Sequence, residues 1–143
     1  MKIVLDTNVL VSGIMNPRGC PGRIIDLLSS GALELIVDDR ILDEYTDVLG
    51  RKKFEKHITL FERKEMLEFL AHNSCKVSCM HVVKSLPDPG DIAFLEAALT
   101  ANVPLVTGNT KHYPKHFAKN CIIITPRQFI DTYPQKMEKT GTF

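Results

Sequence analysis

The stretch Ile3-Val4-Leu5-Asp6-Thr7-Asn8-Val9-Leu10 decides the fold expected for this 143-residue chain. The apolar run at 2–5 contains β-branched residues, which predicts a short buried strand. Asp6-Thr7-Asn8 ends that run with residues typical of a loop or a helix N-cap, and an apolar helical pattern follows at 9–15. A buried strand that leads directly into a helix is a typical opening of an α/β domain.

The same alternation of strands and helices continues along the chain, with turn and capping residues between the elements. Further strands are expected at 33–37, 76–83, 105–107 and 122–124. Further helices are expected at 21–30, 41–50, 62–72, 92–101 and 126–132. This order predicts a three-layer α/β domain with a mostly parallel central sheet over residues 1–132, followed by a loose polar tail at 133–143.

Composition excludes several classes of protein. With 44% hydrophobic and 24% charged residues, the chain has the profile of a single globular domain. Its apolar runs are far shorter than the roughly 20 residues of a membrane-spanning helix, and the N-terminus lacks the pattern of a secretory signal. Four cysteines are too few for a disulfide framework. We therefore expect a cytoplasmic protein with no membrane partner.

The net charge of +1 hides an uneven distribution of charged residues. Residues 1–50 contain eight acids and four bases, whereas residues 51–143 contain nine acids and fourteen bases. This asymmetry fits an acidic site beside a basic surface. The segment 110–120 fits either a solvated face or a phosphate-binding patch. Candidate RNA-binding residues in the basic segments are Arg51, Lys52, Lys53, Lys111, Lys115 and Lys119.

Polar residues are expected at the carboxyl edge of the sheet, where parallel α/β domains bind ligands. Asp6 follows the first strand, and Asn109 follows the strand at 105–107. Asp91 lies in the first turn of a helix, and Glu44 lies beside the apolar stripe of the third helix. Taken alone, each of these residues also fits a structural role as a helix cap, a solvated helix position or a turn former.

Three carboxylates that converge without basic partners repel one another and are costly to bury. They must either protonate or bind a cation. Ligation by oxygen alone favours hard ions such as Mg²⁺ or Mn²⁺, which also bind substrate phosphates. The predicted chemistry is phosphoryl transfer by an activated water.

Four segments together resemble the PIN-domain family, in particular the toxin components of prokaryotic toxin–antitoxin systems. The segments are the stretch at 3–10, Ile41-Leu42-Asp43-Glu44-Tyr45, Pro87-Asp88-Pro89-Gly90-Asp91 and Leu105-Val106-Thr107-Gly108-Asn109. The resemblance implies an endoribonuclease that depends on Mg²⁺ or Mn²⁺ and hydrolyses RNA phosphodiesters. It also implies an antitoxin protein as a partner and a homodimeric state.

The resemblance assigns roles to individual residues. Asp6, Glu44 and Asp91 match the acidic metal ligands of the family. Asn109 stands where many members have a fourth catalytic aspartate, and Gly90 stands where the family more often has an acid. Residues expected to support the ligands are Asp88, Thr107 and, orienting Asp6, Thr7 and Asn8.

Two alternative functions compete with the nuclease hypothesis. The neutral Asn109 and the missing acid at position 90 also fit a catalytically weak PIN-like domain that binds RNA or protein. A phosphoacceptor receiver domain also carries acids at strand ends, but it needs a paired acid after the first strand, which the run at 6–8 does not provide.

Two further patterns concern metals and partners. The string formed by His72, Cys75, Cys79 and His81 has a spacing that fits no common structural zinc knuckle. The helix at 62–72 and the residues before it carry more apolar side chains than one sheet face can bury, which fits either a completed core or a partner surface. These side chains are Leu60, Phe61, Met66, Phe69 and Leu70.

Overall fold

The centre of the molecule is a sheet built from short apolar runs. The computed structural model describes residues 1–80 and 82–133. In these residues the strands are β1 (Lys2–Leu5), β2 (Glu34–Val37), β3 (Cys75–Lys76), β4 (Leu105–Val106) and β5 (Ile123–Ile124). They form one sheet in the order β3-β2-β1-β4-β5, and every pairing is parallel. The predicted parallel sheet is therefore confirmed.

Helices cover the sheet, and local signals set their ends. In the described part of the chain they are α1 (Thr7–Met15), α2 (Cys20–Ser29), α3 (Asp39–Leu49), α4 (Leu60–Asn73), α5 (Ile92–Ala101) and α6 (Pro126–Thr132). The side chain of Asp38 caps α3, and Thr59 and Thr125 begin capping boxes at α4 and α6. Sheet and helices together form the expected three-layer α/β domain.

β1 is the central strand, and all of its residues after Lys2 are buried. Its residues Ile3, Val4 and Leu5 are fully buried, as expected for a parallel strand covered on both faces. α5 packs against β1, β2 and β4, and the ring of Phe94 on α5 lies 6.3 Å from the ring of Tyr45 on α3. β2 and β4 flank β1 on opposite sides, so the strand order reverses between β1 and β4. Ligands of open parallel sheets bind at such a point, beyond the carboxyl ends of the strands.

The prediction of a strand at 76–83 is wrong beyond residue 76, because β3 ends there. The amide of Val77 still bonds the carbonyl of Val37, at 2.9 Å, but the ladder stops there. Two later amides, at Met80 and Val83, donate to side chains of α5, at 3.1 and 2.9 Å. Because α5 side chains satisfy these amides, the described residues at this edge of the sheet form only the two-residue strand β3.

The helix predicted at 62–72 begins earlier, at Leu60, because Thr59 caps it. Leu70 is buried in the core, so for this residue the structure favours the completed core over the partner surface. Leu60 and Phe61 stay 73% and 69% exposed, and Met66 and Phe69 are half-buried. In residues 1–80 and 82–133 there is no helix long and apolar enough to cross a membrane.

Some predictions fall on residues outside the described ranges. Of the predicted tail at 133–143, Tyr133 is described, and its ring stacks on that of Phe129 at 5.2 Å. Residues 134–143 lie outside the described residues, as does His81 of the cysteine and histidine string.

Candidate functional site

Asp6 lies where the chain leaves β1 and enters α1. Its Oδ2 accepts a hydrogen bond of 2.7 Å from the hydroxyl of Thr107, a fully buried residue that follows β4. Leu5 of β1 pairs with Val106 of β4. The residues that follow them, Asp6 and Thr107, therefore lie side by side at the point where the strand order reverses. Asp6 is the N-cap residue of α1, yet its side chain makes no capping hydrogen bond. Thr107 therefore holds the Asp6 carboxylate at the sheet edge.

Glu44 is held beside β1 through its neighbours on α3 and α1. The hydroxyl of Thr7 donates a hydrogen bond of 2.6 Å to Oε2 of Glu44. The hydroxyl of the fully buried Tyr45 donates to the carbonyl of Leu5 at 2.5 Å. The Thr7 hydroxyl thus orients Glu44 rather than Asp6. Asn8 is exposed.

Asp91 reaches the same edge from the turn that precedes α5. The turn is stabilised by Asp88, whose Oδ1 accepts a hydrogen bond of 2.9 Å from the amide of Gly90. Asp91 is only 7% exposed, and its side chain makes no capping hydrogen bond. Its Oδ2 is buried and accepts no hydrogen bond from the described residues. A buried carboxylate oxygen without a donor is unusual and points to a missing partner.

Burial and mutual repulsion disfavour the charged forms of these carboxylates. Burial raises the pKa of Asp91 to about 6, and the negative charges of Asp6 and Asp88 add to this effect. Burial also raises the pKa of Asp6, although the hydrogen bond from Thr107 partly offsets it. Without a cation, Asp91 therefore takes up a proton as the pH falls through about 6.

His112 is a residue of this site that the sequence analysis did not assign to it. It lies on a short 3-10 turn (Thr110–His112) after β4. Its Nδ1 is 3.4 Å from Oδ2 of Asp91, and its Nε2 is 2.9 Å from Nδ2 of Asn109. The sequence signal was its position three residues after Asn109, at the same sheet edge. Asn109 itself is exposed and contacts this imidazole.

Tyr113 closes the inner side of the site. It is 5% exposed, and its hydroxyl lies toward Asp91 without forming a well-aligned hydrogen bond among the described residues. Burial raises the pKa of Tyr113 strongly, and the charges of Asp6 and Asp91 raise it further. The neutral phenol is therefore retained at physiological pH.

The predicted basic residues are all exposed but do not lie together. Lys111 precedes His112 in the 3-10 turn after β4, at the carboxyl edge of the sheet. Lys119 lines a small cavity with Pro104 at the amino end of β4, which is the opposite edge of the sheet. Arg51 follows α3, about 10 Å along the helix axis from Glu44, and pairs with Asp47. Lys115 lies on the 3-10 helix after Lys111, and Lys53 lies over the ring of Phe54.

The residues at this edge fit a divalent cation. Asp91 is buried and Asp6 is half-buried, and Glu44 and Asp88 add negative charge. Ligand atoms of Asp88, Asp91 and His112 all lie within 4.8 Å of one another. A cation would neutralise more of this negative charge than the imidazole of His112 can, and it would occupy the free oxygen of Asp91.

Known proteins share this architecture. The PIN domain profile matches residues 2–111. Uncharacterized protein MJ1680 of Methanocaldococcus jannaschii is 25% identical over 142 residues, 93% of this chain and 92% of that protein. The crystal structure of VapBC2 from Rickettsia felis, bound to a DNA fragment from their promoter, is similar with a TM-score of 0.57 and 17% identity, over 87% of this chain and 98% of that chain. As its four sequence segments predicted, the chain belongs to the PIN domain family.

Proposed function

We propose that this chain is a metal-dependent endoribonuclease and the toxin of a toxin–antitoxin pair, with residues 1–132 as the nuclease domain. The observation that carries the proposal is the buried Oδ2 of Asp91, which has no hydrogen-bond donor and lies among further carboxylates at the reversal point of the sheet. A cation is the partner that such an oxygen lacks, and PIN-domain membership supports a nuclease.

Each residue of the proposed site has a separate task. Asp6, Glu44 and Asp91 hold Mg²⁺ or Mn²⁺, and a bound ion supplies electrostatic stabilisation of the phosphodiester and an activated water for its hydrolysis. Thr107 and Thr7 orient two of these carboxylates through their hydroxyl groups. Asp88 holds the turn before α5 in place.

RNA is the proposed substrate because the proposed cation site and the exposed Lys111 lie at the same acidic edge of the sheet. Lys111 is exposed next to the site and attracts a phosphate that would otherwise be repelled by the carboxylates. The neutral Asn109 reduces the formal negative charge by one compared with a four-acid site. We therefore expect one well-occupied divalent ion without RNA and a second only when a substrate phosphate is present.

The decisive experiment is RNA cleavage by the purified chain with Mg²⁺ or Mn²⁺. We expect cleavage that EDTA abolishes and that Asp6→Asn lowers by orders of magnitude. Asp26→Asn is the matched control, because Asp26 is an exposed acid on α2, and it should cleave like the parent. Cleavage by Asp6→Asn at the parent rate would refute the site. RNA binding without cleavage would instead favour the catalytically weak binding module.

An antitoxin partner and a homodimer are proposed on the α4 surface, defined as Leu60, Phe61, Met66 and Phe69. Leu60 and Phe61 are large exposed apolar residues, and Met66 and Phe69 line a groove of about 560 Å³. An apolar helix face beside a groove fits an amphipathic partner segment. The similar fold of the VapBC2 complex supports a partner of this kind.

Light scattering tests the homodimer, and co-purification with the product of an adjacent small reading frame tests the antitoxin. We expect a dimer for the parent chain and a monomer for Phe61→Ser. Lys64→Ser is the control, because Lys64 is an exposed polar residue of the same helix. A monomeric parent chain would contradict self-association.

A further inference from the structure

The turn after β4 carries an imidazole into the carboxylate cluster. Nδ1 of His112 lies 3.4 Å from Oδ2 of Asp91, and the ligand atoms of Asp88, Asp91 and His112 all lie within 4.8 Å of one another. At a metal–ligand distance of about 2.1 Å, ligands on opposite sides of an ion are about 4.2 Å apart. The ligand atoms of the three residues could therefore share one coordination sphere if the farthest pair moved closer by about 0.6 Å.

The buried oxygen of Asp91 is an independent sign of a ligand. Asp91 is more than nine-tenths buried, and its Oδ2 accepts no hydrogen bond from the described residues. Nδ1 of His112 lies 3.4 Å from this oxygen. Asp88 uses Oδ1 to hold the amide of Gly90, which leaves its second oxygen available. One nitrogen and two carboxylate oxygens thus surround the same space.

We propose that His112 is a nitrogen ligand of the metal in addition to the carboxylates of Asp6, Glu44 and Asp91, that the second oxygen of Asp88 faces the metal from the same side, and that His112 makes this site prefer Mn²⁺ over Mg²⁺. The inference rests on the proposed function for the presence of a metal. Mg²⁺ is bound almost entirely through oxygen, whereas imidazole is a good ligand for first-row transition ions. An all-carboxylate site would lack the part of this preference that the imidazole adds.

Asn109 then acts as a positioning residue for His112. When Nδ1 of His112 binds an ion, its Nε2 carries the proton and needs an acceptor. Nδ2 of the Asn109 side-chain amide is 2.9 Å from Nε2. If this amide flips, its oxygen accepts a hydrogen bond from the Nε2–H group. The neutral residue at position 109 thus has a task that does not require a charge.

The test is Mn²⁺ binding by the full chain without RNA, followed by electron paramagnetic resonance. Spin-echo modulation of bound Mn²⁺ should show a ¹⁴N signal from imidazole in the parent chain. His112→Gln should remove that signal and weaken Mn²⁺ binding by about tenfold or more, while Mg²⁺ binding, measured by competition, changes far less. His116→Gln is the matched control, because His116 is an exposed histidine of the same basic segment and should keep the signal.

Two results would overturn the assignment of His112. One is bound Mn²⁺ without a ¹⁴N signal in the parent chain, a measurement that does not depend on the folding of any variant. The other is equal weakening of Mn²⁺ and Mg²⁺ by His112→Gln. A nitrogen signal in a chain that cleaves no RNA would support the His112 assignment and contradict the nuclease proposal. RNA cleavage without a nitrogen signal would support the nuclease proposal and contradict the His112 assignment.

Discussion

The hydroxyl of Thr107 donates a hydrogen bond of 2.7 Å to Oδ2 of Asp6, although the two residues are 101 positions apart in the chain. The bond crosses the point at which the strand order reverses, and it lowers the cost of burying the Asp6 carboxylate. It therefore links the geometry of the sheet to the charge state of the candidate metal site.

Replacing Thr107 by valine keeps the shape of the side chain and removes its donor. We expect Thr107→Val to destabilise the metal-free protein by about 1–2 kcal/mol at neutral pH, because the Asp6 carboxylate loses a hydrogen bond. Urea denaturation measures this change. Thr107→Ser should retain most of the stability, and Thr132→Val, at an exposed position, should have little effect. Equal stability of Thr107→Val and the parent would show that the bond contributes nothing.

The metal-free protein should lose stability as the pH rises from about 4 to about 6. The pKa of Asp91 is about 6 in the folded chain against an ordinary value of 3.8, so the folded state binds the proton more tightly than the unfolded state. This contribution is complete below pH 3.8 and is lost as the pH rises through 6. The raised pKa of Asp6 acts in the same direction.

Melting temperatures across this pH range test the assignment. Asp91→Asn should flatten the decline, and Asp26→Asn, at an exposed position, should leave it unchanged. Mn²⁺ should restore stability at the upper end of the range, because a cation favours the charged carboxylates. A melting temperature that rises steadily from pH 4 to 6 in the metal-free parent would contradict this prediction.

Arg40 joins two buried acids outside the candidate site. It contacts Oδ2 of Asp38 and Oε1 of Glu96, both at 2.7 Å. Burial opposes the charge on Asp38, but hydrogen bonds from Arg40 and from the Ile41 amide hold its pKa below the ordinary value. Because Glu96 also accepts the amide of Val83, this network fastens the segment after β3 to α5.

Arg40→Met should lower the free energy of unfolding by about 2 kcal/mol at pH 7. Loss of one partner of a fully buried ion pair costs more, but the side chain of Arg40 is half exposed. The stabilisation through Asp38 is present above pH 3.8 and disappears as the pH falls below it, so the variant and its parent should converge in acid. Lys76→Met breaks the exposed pair with Asp39 and should leave the free energy of unfolding nearly unchanged. An Arg40→Met variant that is no less stable than Lys76→Met would contradict the network.

RNA affinity should depend on Lys111 and not on Lys119. Lys111 adjoins the acidic site, whereas Lys119 lies at the amino end of β4. In filter binding of single-stranded RNA with a catalytically inactive chain, Lys111→Ala should flatten the plot of log affinity against log salt by about 0.7. Lys119→Ala should leave the slope unchanged. A flatter salt dependence for Lys119→Ala and an unchanged one for Lys111→Ala would indicate that RNA binds at the opposite edge of the sheet.

Much of the fold follows from local patterns in the sequence. β1 was expected at 2–5 and is Lys2–Leu5, and α5 was expected at 92–101 and is Ile92–Ala101. Both elements are bounded by residues with local backbone preferences. A stretch of about ten neighbouring residues is therefore enough to predict where each element begins and ends. The strand at 76–83 failed because distant side chains of α5, Thr100 and Glu96, take the hydrogen bonds that a strand would need.

By itself, the sequence determined the strand and helix order, the parallel class of the sheet and the acids expected at its carboxyl edge, because hydrophobic period and capping are properties of neighbouring residues. Only the tertiary structure decided that Thr107 rather than Asn8 orients Asp6, that His112 lies against Asp91 and that Lys119 lies at the far edge. These relationships join residues far apart in the chain, and they exist only after the strands have paired and the helices have packed.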